Sequence, residues 1–111
     1  MCIRDRDEEV YLRARSADLN LCRTEGIDAT LEQYQLDALV FPNDAGSTIA
    51  ARAGYPSIAV PLGFTQAAPI RPAPIEPVGV MFTGTAFSEP TLVRIAHAFE
   101  LATCGRVSPP V

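Results

Sequence analysis

Apolar residues return at helical intervals near the start of the chain. Val10, Ala14, Ala17 and Leu21 lie four, three and four residues apart, one stripe along a helix predicted over 7–25. Asp7, Glu8 and Glu9 fall in its first turn, where negative charge suits the helix dipole, and Gly26 reads as its stop. A short second helix is expected from Ile27 to Tyr34, with Ile27 and Leu31 on one face. The pattern then changes to short, continuous apolar runs. Leu36 to Pro42 predicts a strand ended by proline, 43–47 a turn, and Ser47 or Thr48 the cap of a short helix that runs through Arg52 and ends at Gly54. Ser57 to Val60 predicts a second strand between Pro56 and Pro61. Pro69, Pro72, Pro74 and Pro77 predict an extended surface loop over 65–77, followed by a third strand from Val78 to Phe82. The last helix is expected to begin near Ser88, with Pro90 in its first turn, where a missing N–H costs nothing. Leu92, Ile95, Ala96, Phe99 and Ala102 give it a broad apolar face, Gly105 a stop, and Pro109 and Pro110 close the regular structure.

Helices and strands in this order make an α/β chain with about three short strands and flanking helices. The strands are apolar without alternation, which implies burial on both faces. Three short strands make a poor sheet alone, and the few helices here cannot cover both faces, so a fragment of a larger sheet is expected.

Composition narrows the classes. The chain of 111 residues is one domain or part of one, and 48% hydrophobic residues argue against disorder over most of it. A net charge of −4 leaves no basic footprint for nucleic acid and disfavours anionic membrane surfaces. No apolar run reaches the ~20 residues that span a bilayer, and the charged N-terminus lacks the apolar core of a secretory signal. Cys2, Cys22 and Cys104 form neither a CxxC pair nor a ligand cluster, so reduced thiols in a cytoplasmic protein are expected.

Candidate chemistry is sparse. Ser57 with His97 and Asp37 or Asp44 would supply the residue types of a hydrolytic triad, but no Gly-x-Ser-x-Gly turn surrounds Ser57. A hydroxyl satisfied by the backbone and a surface histidine is the plainer reading. Gly54, Gly63 and Gly79 do not form a GxGxxG fingerprint and are read as serving turns and close strand packing. Glu89 and Glu100 are eleven residues, about three turns, apart and too distant to act as a pair. With one histidine and no clustered thiols or carboxylates, no metal site and no cofactor is expected. Arg71 and Pro72 are the only features that would make the Ala67 to Pro77 stretch a polyproline ligand, and a connection between strands is preferred.

Several motifs occur together in one order: Gly-Ile-Asp-Ala-Thr-Leu from Gly26, Leu-Asp-Ala-Leu-Val-Phe-Pro from Leu36, Ala-Gly-Tyr-Pro-Ser-Ile-Ala-Val-Pro-Leu-Gly-Phe from Ala53, Pro-Val-Gly-Val-Met-Phe-Thr-Gly from Pro77, and Ser-Glu-Pro-Thr-Leu-Val-Arg-Ile-Ala-His-Ala-Phe-Glu from Ser88. Together they resemble the C-terminal segment of the amidase signature family, over residues 8 to 110. Residues 1–7 stand outside the resemblance, and 8–111 would be the C-terminal part of an amidase domain. The resemblance implies a larger mixed sheet, with Ser57–Val60 and Val78–Phe82 as core strands and the last helix covering one face. It implies a small carboxamide substrate for the full-length enzyme. There a lysine, acting through a bridging serine, activates a second serine that attacks the amide carbonyl, and water releases the acid. All nine basic residues are arginine, and no stretch matches the upstream Gly-Ser-Ser-Gly-type region. No catalytic residue is therefore assigned, and the chain alone is expected to be inactive. The family includes free amidases and amidotransferase subunits that use an amide donor for tRNA-linked chemistry. The alternative is a non-catalytic structural or interaction module that dimerises or packs on a partner. A fragment with bare apolar strands is also expected to self-associate or aggregate.

Overall fold

The computed structural model describes residues 7–65 and 76–108. Asp7 opens helix α1 (Glu8–Asp18), its carboxylate accepting from the Glu9 amide at 3.0 Å. The helical path does not stop at Gly26. It widens into a π-helical segment (Leu19–Asp28) and continues as α2 (Ala29–Tyr34). A Cβ on Gly26 would stand 2.6 Å from the Leu21 carbonyl oxygen, so the missing side chain lets the wide turn close instead of ending the helix. The left-handed stop falls later, at Gln35 (φ 51°). Among the described residues the apolar stripe stays largely open: Val10 on α1 and Leu21 in the π-helical segment are 62% and 61% exposed, and no α1 residue is buried. Ile27 and Leu31, by contrast, are buried with Ala53.

After α2 come β1 (Leu39–Pro42), α3 (Ser47–Ala53), β2 (Ser57–Phe64), β3 (Pro77–Thr83) and α4 (Glu89–Thr103). The fold is thus α/β with a three-stranded sheet in the order β1-β3-β2. Both pairings are antiparallel, and no parallel pair occurs among the described strands. Leu39 and Ser57 both stand opposite Thr83, and Val40 and Ile58 opposite Phe82. β2 runs past the expected end at Val60 and through Pro61, which an outer strand tolerates because one row of its N–H groups needs no partner. Its register shifts between Pro61 and Gly63.

The core lies in two clusters. Ile27, Leu31 and Ala53 pack with Cys22, Leu39, Ile49 and Tyr55. Phe82, Leu92 and Ala96 pack with Ile58, Val60, Val80, Ile95 and Phe99, and Phe99 meets Phe82 edge to ring at 5.5 Å. The expected burial on both faces holds in the central strand, where Met81, Phe82 and Thr83 are buried one after another, but not in the outer two. Along β1 and the first half of β2, half-buried residues alternate with exposed ones, because the few helices of this chain cover each side only in part. Helix α4 begins where expected, but its left-handed end is Cys104 (φ 47°), one residue before Gly105. No helix among the described residues is long and apolar enough to cross a membrane. The expected loop residues Pro69, Arg71, Pro72 and Pro74, and residues 1–6 with Cys2, lie outside the described residues.

Candidate functional site

The most connected polar group ties the π-helical segment to the entrance of β2. Arg23 and Asp28 project from that segment, and Tyr55 follows Gly54, whose left-handed conformation (φ 72°) ends α3. Arg23 Nε donates to the Tyr55 hydroxyl at 2.9 Å, and that hydroxyl donates to the Asp28 carboxylate at 2.7 Å. The guanidinium carbon also sits 4.9 Å from the centre of the Tyr55 ring. Burial, and then the hydrogen bond to Asp28, push the Tyr55 phenol above the ordinary tyrosine value. Its contact with the Tyr55 hydroxyl holds Arg23 more firmly charged than a free arginine. A phenol kept protonated between a fixed cation and a carboxylate is a tie rather than a nucleophile. It fixes the Gly54-Tyr55-Pro56 turn against the helices.

A second polar contact lies beside that turn, at the same end of the strands. Thr83 is fully buried, and its hydroxyl lies 2.8 Å from the Ser57 hydroxyl. Ser57 is therefore satisfied by a side chain, not by the backbone as its sequence context suggests. No hydrogen bond joins it to His97, which is exposed on α4. Asp37, Asp44, Glu89 and Glu100 are also exposed, and no nucleophile–base pair is assembled among the described residues. No group of metal-ligating side chains comes together there either. Cys22 and Cys104 are free thiols. Gly79 has the expected close approach, since a Cβ would come within 3.2 Å of the Val60 carbonyl oxygen.

A third feature is an open, mostly apolar depression of about 390 Å³ at the far end of β2 and β3, where Phe64, Pro77 and Val78 face Arg106 and Val107. It has no convergent set of polar groups to orient a substrate. The tyrosine cluster was not foreseen from the sequence; its members lie 27 and 32 residues apart, and only the Gly-Tyr-Pro turn hinted at a fixed point.

Comparison with known proteins places this geometry. No family model matches the chain. A probable amidase of Arabidopsis thaliana is 40% identical over 84 residues, 76% of this chain and 15% of that protein. A glutamyl-tRNA(Gln) amidotransferase subunit from Lysinibacillus sphaericus is 34% identical over 79 residues, 71% of this chain and 13% of that protein. The solved native peptide amidase of Stenotrophomonas maltophilia superposes with a TM-score of 0.77 at 41% identity, over 90% of this chain and 21% of its own. By sequence and by fold, then, the chain is related to the amidase-signature enzymes, and it spans only about 15% of the length of the curated relatives it matches.

Proposed function

We propose that the chain is the C-terminal part of an amidase-signature hydrolase, carried by residues 8–111 with residues 1–7 outside it. In this reading the whole enzyme hydrolyses small carboxamides through a lysine and two serines, and this segment supplies sheet strands and a covering helix. The segment contributes no nucleophile or base and does not hydrolyse amides by itself. The observation that carries the reading is the asymmetry of coverage: a match over 76% of this chain falls within 15% of the relative. The lack of any lysine in the sequence supports the inactivity of the isolated chain. The free thiols Cys22 and Cys104 support a reducing, cytoplasmic setting.

The test is ammonia release from a peptide carboxamide. The purified chain is expected to release no more than a mock preparation. Replacing the matching segment of the Stenotrophomonas maltophilia peptide amidase with this chain is expected to preserve hydrolysis. Hydrolysis by the isolated chain would overturn the assigned inactivity.

A further inference from the structure

Among the described residues Phe87 is the most exposed of the large apolar side chains, at 92%, and the only one of them with a positive φ. It stands third in the turn Thr85–Ser88, which the Ser88 amide closes on the Thr85 carbonyl at 3.3 Å. With φ at 61°, that place favours glycine or asparagine, because a Cβ there crowds the backbone. A residue just before the helix cap also ordinarily folds back on the fourth helical residue as an apolar staple, here Leu92. Leu92 is buried without it, packed with Phe82 and Ala96. The chain thus forgoes an apolar contact and accepts strain to hold a phenyl ring in the open.

The turn is locked from behind. Ser88 Oγ donates to the Thr85 carbonyl at 2.7 Å and makes no cap bond to α4. Gly84 is buried and its amide donates to the Pro56 carbonyl at 3.3 Å; a Cβ on it would overlap the Ser88 hydroxyl. Pro56 follows Tyr55, which Arg23 and Asp28 hold, and Thr83 before the turn is bonded to Ser57. A displayed side chain on a strained backbone, backed by fixed contacts, is how ligand-binding residues are held in direction. Val10, Val40 and Val93 are exposed too, but in regular helix or strand, where exposure carries no strain.

We infer that Phe87 is a specificity-determining residue, its ring receiving the apolar side group next to the carboxamide of the substrate. This rests on the reading of the chain as part of an amidase. The chemistry of the group follows from the turn: Thr85, Ala86, Phe87 and Ser88 carry no charge, so the ring selects by apolar burial. Packing against another part of the protein would need cover at Phe87 but not a strained backbone beneath it.

The experiment replaces Phe87 with glycine and with leucine. In the isolated chain Phe87→Gly is expected to raise the urea midpoint, since it relieves strain and removes almost no buried contact. A lowered midpoint would show that the ring packs within the chain and would overturn the inference. The second setting is the peptide amidase carrying this chain in place of its own matching segment. Ammonia release is compared there for a peptide ending in phenylalaninamide and one ending in glycinamide. Phe87→Gly is expected to lower the preference for phenylalaninamide, as a ratio of kcat/KM, by about tenfold and through KM, whereas Phe87→Leu keeps most of it. Equal losses on the two amides, a loss in kcat alone, or a lower melting temperature of the grafted enzyme would make Phe87 a packing residue and overturn the inference. A graft that does not fold, or that hydrolyses neither amide before any substitution, would overturn the amidase reading and the inference with it. Ammonia release by the isolated chain would count against the assigned inactivity alone and leave the comparison at Phe87 standing.

Discussion

Ser57 and Thr83 share one hydrogen bond but not its consequences. Thr83 is fully buried, whereas Ser57 borders solvent and can turn its hydroxyl to water. Ser57→Ala leaves a buried hydroxyl without a partner and should cost about 1–3 kcal/mol. Thr83→Val removes the buried polar group itself and should cost less than about 1 kcal/mol. Urea denaturation of the two variants checks the order, and the reverse order would refute it. The Tyr55 cluster makes a second prediction. Its phenol is raised above the ordinary value of 10.0, burial being the largest cause and the bond to Asp28 the next. The folded state therefore holds the proton more tightly than the unfolded chain. That contribution is complete below pH 10.0 and is lost as pH rises through the folded value. Melting temperature should fall more steeply above pH 10 in the parent than in Tyr55→Phe; parallel curves would show that the phenol's titration is uncoupled from folding. Neither contact is written in local sequence. Arg23 and Asp28 reach Tyr55 only because the wide helical turn brings distant residues together, whereas the exposure of His97 and the carboxylates needed nothing beyond their helical and turn positions.

Among the elements, those bounded by proline and glycine were legible. Pro56 and Gly54 fix the start of β2 and the end of α3, and Pro90 in the first turn of α4 marks its start, because each restricts the backbone at the residue itself. The π-helical segment was not legible, since a glycine after a helical stripe normally reads as a stop. There Gly26 acts through space, against the Leu21 carbonyl. The distinction can be measured. In an ordinary helix interior, Gly26→Ala would stabilise by about 1 kcal/mol through propensity. Here the added methyl meets backbone, so the variant should lose about 1–3 kcal/mol. A gain in denaturation midpoint would mean that the turn relaxes to α geometry without strain. The runs of the two outer strands depart from expectation in a different way. Their continuous apolar character did mark strands, but two-sided burial requires cover that α4 and the N-terminal helices only partly provide.

At the scale of the whole molecule, the described residues hold two small apolar clusters, one around Ile27 and one around Phe82. Outside them Val10, Leu12, Leu21, Val40 and Phe87 all remain largely exposed, Phe87 at 92% and in a left-handed conformation (φ 61°) that a bulky side chain seldom adopts. The radius of gyration is 17.9 Å, against ~13 Å for a compact domain of about 100 residues. Both facts support the proposed reading of the chain as a segment of a larger body. A segment whose described residues form two separate clusters should unfold less sharply than a domain with one contiguous core. The isolated chain is therefore expected to bind a hydrophobic dye such as ANS, to melt over a broad range, and to associate as its concentration rises. Sedimentation velocity over a dilution series, paired with dye fluorescence, is the direct check. A monomer at every concentration, silent toward the dye and unfolding in one sharp transition, would mean that these 111 residues close their own core. The non-catalytic module would then displace the fragment as the better reading, because exposed apolar side chains would be decoration on a finished domain and not the broken surface of a larger one.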